Sequence, residues 1–113
     1  MAEDCLFCGM LAGSVPMDVV AETGLSIAFR DINPQAPTHV LAIPRRHVPT
    51  LAALAEYPAD LADVVALAGS VASEEGRGDG YRLVANTGAA AGQTVFHAHL
   101  HLLGGRSLAW PPG

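Results

Sequence analysis

Apolar and polar positions change period several times along the chain, and each change marks an element. Over residues 3–13, Leu6, Met10 and Leu11 recur at helical offsets with Phe7 beside them, which predicts a short helix ended by Gly13. Ser14 and Pro16 then break the pattern. Residues 17–24 and 25–31 predict two strands joined by a tight turn at Thr23-Gly24. Two prolines make 31–39 a loop, and 39–47 reads as a third strand closed by Pro44. The longest helical pattern covers 55–76, where Leu61, Val64, Val65, Ala68, Val71 and Ala72 share a face and Gly76 suits the C-cap. Residues 81–86 predict a fourth strand, 87–94 a glycine-bearing loop, and 95–103 a fifth strand before an irregular tail.

No repeat or long linker divides residues 1–113, so a single domain is expected. Short strands with tight turns beside one long and one short helix predict an α+β fold with a five-stranded antiparallel sheet. The long helix would cover one sheet face and leave the other open for a site or a partner.

Composition narrows the function. Half of the residues are apolar but only 5% are aromatic, so the core must be built from Ala, Val and Leu. No segment reads as a membrane span, and the acidic start MAEDCLF lacks the basic region of a signal peptide. A soluble cytoplasmic protein is the expectation. The net charge is −5, and all six basic residues are scattered arginines. Without a basic stripe, a nucleic-acid partner is not expected. A single nucleotide stays open, because backbone N–H groups can hold a phosphate without lysine.

Three of the five histidines fall in HAHLHLL, residues 97–103. In a strand, alternate side chains share a face. Phe96, Ala98, Leu100 and Leu102 would face the core, and His97, His99 and His101 would project together, with backbones roughly 6.5–7 Å apart. Such a face can be an ordinary polar surface, a catalytic metal site or a nucleophilic imidazole with two neighbours tuning it. The loop just upstream delivers Gly88, Gly92, Gln93 and Thr94 into this strand, which favours a phosphate lying against the imidazoles. It has neither the lysine nor the following helix of a P-loop. Cys5 and Cys8, two residues apart, suit a metal or a redox pair better than a structural disulfide.

These residues carry a resemblance. HAHLHLL matches the signature of the histidine triad (HIT) superfamily, DINPQAPTHVLAIPRRH resembles its ribose-side loop and third strand, and AGQTVFHAHLHLLGGRSLAWPPG resembles the ending of its Hint branch, the histidine triad nucleotide-binding proteins. The similarity runs from about Leu6 to Gly113. It implies a five-stranded antiparallel sheet, a homodimer, and a hydrolase of purine nucleoside phosphoramidates and related nucleotidyl compounds. By this resemblance His99 is the nucleophile, the His97 carbonyl orients it, His101 contacts the phosphate, and His39 joins the same cluster. Gln93 and Thr94 would donate to phosphate oxygens, Thr94 near the departing amine, with Gly92 and Asn86 beside them. Asp31 would take the ribose hydroxyls. Leu6, Phe7, Met10, Val15, Phe29 and Ile32 would line the purine slot, and Trp110 would lie near the partner subunit's site.

The cysteine pair resembles bacterial HIT proteins with a structural zinc, which implies the ligands Cys5, Cys8, His47 and His97; no cofactor is implied for catalysis. Two other function classes are weighed against this one: a non-catalytic nucleotide-binding or scaffold protein, and a metal-dependent hydrolase using the histidine face.

Overall fold

The computed structural model describes residues 4–113. Glu3, the first residue of the predicted N-terminal helix, lies outside them. Helix α1 spans Leu6–Leu11, capped at its N-terminus by the Cys5 sulfur, which accepts the Cys8 N–H at 3.4 Å. The strands β1 (Val19–Glu22), β2 (Ser26–Arg30) and β3 (Thr38–Pro44) follow, then the short helix α2 (Leu51–Leu54) and the long helix α3 (Pro58–Glu74). Strands β4 (Tyr81–Val84) and β5 (Leu100–Gly104) complete one antiparallel sheet of order β1-β2-β3-β5-β4.

Strand β3 is buried along its whole length because it is central and covered on both faces. Ala28, Val40, Ala42, Leu100 and Leu102 pack against Val64, Leu67, Ala68, Val71 and Ala72 of α3. Phe29, Leu41, Ile27 and Ile43 point to the other face, where Phe7, Met10 and Leu11 of α1 cover them. The second face is therefore only half open, and what remains uncovered is a cleft beside α1.

Three expectations change. The predicted 55–76 helix is α3, which starts only at Pro58, where a missing N–H costs nothing, and a short helix not predicted, α2, precedes it with Thr50 capping it through its hydroxyl. Val65 faces solvent, and Leu67 takes its place in the core. The fifth strand begins at Leu100 and not at Val95. The ladder with β3 ends at Ala42–Leu100, and two residues on Pro44 has no N–H to give. The Pro44 carbonyl instead accepts the His97 ring N–H at 2.8 Å, and the Ala98 N–H turns to the Val48 carbonyl at 2.8 Å. Phe96, freed from the sheet, is half exposed and not in the core.

The C-terminal end of α3 is tied to the sheet by polar contacts. Arg30 donates to both Glu75 carboxylate oxygens at 2.8 Å, and Thr38 donates to Glu75 at 3.2 Å while accepting from Arg77 Nε at 3.0 Å. This network fixes the end of β2 and the start of β3, beside which Asp31 and His39 stand.

Candidate active site

The cleft has a volume of about 290 Å³. One wall is apolar, built from Leu6, Phe7 and Met10 of α1 with Phe29, Leu41 and Val95. The other carries Asp31, Asn86, Thr94, His99 and His101, and Ile32 and Gly92 stand at its border. A flat apolar slot with polar groups at one end suits a base joined to a sugar phosphate. Arg30 also borders it, with its guanidinium held by Glu75.

The hydrogen bonds define which ring nitrogens carry protons. The His99 Nδ1 lies 2.7 Å from the His97 carbonyl, an acceptor only, so Nδ1 donates and Nε2 is left with its lone pair. The Phe7 ring meets His99 edge-on, centroids 5.1 Å apart, and blocks rotation of the imidazole. Next to it, the Gln35 N–H donates to His39 Nδ1 at 3.0 Å. The His39 proton must then sit on Nε2, which faces His101 Nδ1 at 3.0 Å and an Asp31 carboxylate oxygen at 3.4 Å. His101 accepts at Nδ1 and carries its own proton on Nε2. A relay of Gln35, His39 and His101 thus ends in a neutral N–H donor 5.1 Å, ring to ring, from His99.

Burial keeps this relay uncharged. His101 is pushed down to about 4, first by burial and then by the neighbouring His99 and His39, with Asp31 opposing. Burial lowers His39 as well, again against Asp31.

The first histidine of the triad goes elsewhere. The three rings do not converge, which corrects the expectation of one shared imidazole face and removes the basis for a metal hydrolase built on it. The His97 ring is fully buried and faces a second cluster. Its Nε2 donates to Pro44, so its Nδ1 lone pair points at Cys5 Sγ (3.5 Å), Cys8 Sγ (3.6 Å) and His47 Nδ1 (3.2 Å), and Cys8 Sγ lies 3.3 Å from His47 Nδ1. Tetrahedral zinc, with bonds of about 2.1 Å to nitrogen and about 2.3 Å to sulfur, has ligand–ligand edges of about 3.3–3.8 Å. The four distances match such edges, and all four donor atoms lie within 4.8 Å of one another. Asp31, His39 and His101 also lie close together, but the His39 proton points into that group, so they form a hydrogen-bonded relay and not a set of lone pairs.

Several predicted site residues fall outside the cleft. Gln93 is buried within the loop: its side chain accepts the Gly88 N–H at 2.9 Å and donates to the Pro49 and Val95 carbonyls at 2.7 and 3.1 Å. It braces the loop and has no amide left to offer a phosphate. The N–H of Gly92 is spent on Ala89 and that of Gln93 on Gly88, so the loop presents Thr94 rather than an open ring of backbone donors. Val15 packs beneath Gly9 on the far side of α1. Ile32 borders the cleft but is 98% exposed, and Trp110, expected at the partner subunit's site, is 82% exposed and does not line this chain's cleft. Leu41 and Val95 were missed as lining residues; Leu41 lies directly opposite His101 across the β3–β5 ladder, a pairing the alternation around His39 could have revealed.

Comparison with known proteins agrees with this architecture. The HIT domain model matches residues 12–108. A purine nucleoside phosphoramidase of Escherichia coli is 46% identical over 110 residues, covering 96% of this chain and 92% of the relative. An uncharacterized HIT-like protein of Synechococcus elongatus is 50% identical over the full length of both. Among solved structures, a HIT family hydrolase from Legionella pneumophila superposes with a TM-score of 0.88 at 47% identity, covering 96% of this chain and 99% of that one.

Proposed function

Because this chain belongs to the HIT domain family, we propose that it hydrolyses purine nucleoside phosphoramidates and related nucleotidyl compounds through a nucleotidyl intermediate on His99. The observation that carries this reading is the 2.7 Å bond from His99 Nδ1 to the His97 carbonyl, which leaves Nε2 as an unprotonated nucleophile in the cleft. The Nε2 lone pair attacks the α-phosphorus, the bond from phosphorus to the leaving amine breaks, and the amine takes up a proton from solvent water as it departs past Thr94. Water then attacks the same phosphorus, the P–Nε2 bond breaks, and the water's proton is released with the nucleoside monophosphate. His101 donates its Nε2–H to a phosphate oxygen whose charge grows in both steps. Asp31 accepts from the ribose hydroxyls, although one of its oxygens already takes the Asn33 N–H at 2.8 Å. The apolar wall from Leu6, Phe7, Met10 and Phe29 takes the purine.

Cys5, Cys8, His47 and His97 would hold a zinc ion, which ties α1 to the β3 end and supplies no open coordination position for chemistry. A homodimer fits the outer edge of β4, where Tyr81 is exposed beside Gly69 of α3, and would bring a partner to the exposed tail.

Turnover of an adenosine phosphoramidate by the protein and by His99→Ala tests the assignment. The variant should lose about 10⁴-fold or more in kcat while still binding the nucleotide. Comparable turnover in the variant would remove His99 from the reaction.

A further inference from the structure

The cysteine–histidine cluster and the proposed nucleophile meet in one peptide unit. Residues 95–99 precede β5 and have no ladder partner among the described residues, so other contacts must hold the His97–Ala98 peptide. Its carbonyl accepts from His99 Nδ1 at 2.7 Å, and its N–H donates to the Val48 carbonyl at 2.8 Å. Each anchor sits on or beside a member of the cysteine cluster. Val48 follows His47 directly, and the carbonyl belongs to His97 itself, whose ring is pinned between Pro44 on one nitrogen and the thiols and His47 on the other. Closing the cluster around a metal fixes both ends of this peptide plane; opening it frees His47, which is exposed, and releases one side of the His97 ring.

We infer that His97 is a positioning residue through which metal occupancy of the Cys5–Cys8–His47–His97 cluster sets the aim of the His99 imidazole. The metal takes no part in the chemistry and acts only on the angle at which the nucleophile is presented. The inference rests on the reading of His99 as nucleophile, but its main readout does not need substrate. Displacement of a reacting atom by about 1 Å can lower a rate by roughly a hundredfold, so loss of this clamp is large enough to see.

The test compares zinc-loaded protein with protein stripped by a chelator, and with the Cys5→Ser/Cys8→Ser double variant. The His99 Nδ1–H proton is followed by NMR, alongside single-turnover nucleotidylation and nucleoside monophosphate affinity. Zinc-loaded protein should show one sharp, slowly exchanging Nδ1–H resonance. In stripped protein that keeps its fold, the resonance should broaden and exchange, and nucleotidylation should slow roughly ten- to a hundredfold with affinity largely kept. Val64→Ala, in the core on the opposite sheet face, serves as the control for general destabilisation: it should lower Tm without moving the resonance. An unchanged resonance after verified metal loss, or failure of the protein to take up zinc, overturns the inference. A resonance that responds to zinc in a protein that is never nucleotidylated supports the coupling and counts only against the nucleophile.

Discussion

Asp31 and His101 illustrate how little freedom a cleft residue has once its neighbours are counted. Asp31 has one oxygen on the Asn33 N–H and the other near His39, and its remaining lone pairs face the cleft. A hydrogen bond to a charged acceptor contributes about 1.5–3 kcal/mol, so Asp31→Asn should raise KM for a ribonucleotide substrate about tenfold. The same substitution should change KM less for the 2′-deoxy analogue, and equal effects on both would refute a contact to the 2′-hydroxyl. Most of these residues were legible before the fold was known, because the signature around His97–His101 and the Asp31 loop are short-range patterns. What could not be read was where each hydrogen bond is spent. Gln93 looks like a phosphate donor in sequence, yet Gly88 and Val95 beside it and Pro49 from the segment before α2 consume it. His97 alternates with His99 and His101, but Pro44, 53 positions away, draws its ring to the other side of the chain.

At the level of strands and helices, the periodic signals held wherever an element packs by one face. The helix ending at Gly76 and the hairpin of β1 and β2 follow from spacing and turn chemistry alone. The start of β5 did not, since the limit on a strand is set by its neighbour: Pro44 lies on β3, and nothing within residues 95–99 announces it. Two glycines allow a ranked test of such local terms. Gly76 and Gly105 both have positive φ, 76° and 93°, but a Cβ at Gly76 meets open space. At Gly105 it would come within 2.8 Å of the Arg77 guanidinium and 2.9 Å of Pro37 Cβ. Gly76→Ala should cost about 1–2 kcal/mol from backbone strain alone. Gly105→Ala should cost more, because backbone strain and overlap act together and the Arg77–Thr38 bond is disturbed. Denaturant unfolding of the two variants decides the order, and equal losses would show that Arg77 and Pro37 both give way.

For the molecule as a whole, the buried imidazoles give stability a defined pH dependence. His101 has an ordinary value of 6.5 and is lowered to about 4 in the folded protein. Between those values the unfolded chain binds a proton that the folded chain refuses, so acid favours unfolding. Burial places His39 in the same sense, and Glu75, lowered chiefly by its bond to Arg30, extends the loss below its ordinary 4.5. Full stability is thus present above about pH 6.5, and Tm should fall steadily towards pH 4. A Tm that is flat over this range would mean that the relay opens to solvent. Light scattering across a dilution series should give twice the chain mass if β4 edges pair, and the monomer mass at all concentrations would place Trp110 outside any shared site.

The most direct measurement is the intact mass of the protein quenched shortly after mixing with an adenosine phosphoramidate, followed by localisation of any adduct. A transient mass increase of one adenylyl group, acid-labile and carried on His99 alone, is expected from a lone pair held ready by the His97 carbonyl. Hydrolysis that proceeds with no adduct, or with one on His101 or a side chain outside the cleft, would contradict the covalent route through His99.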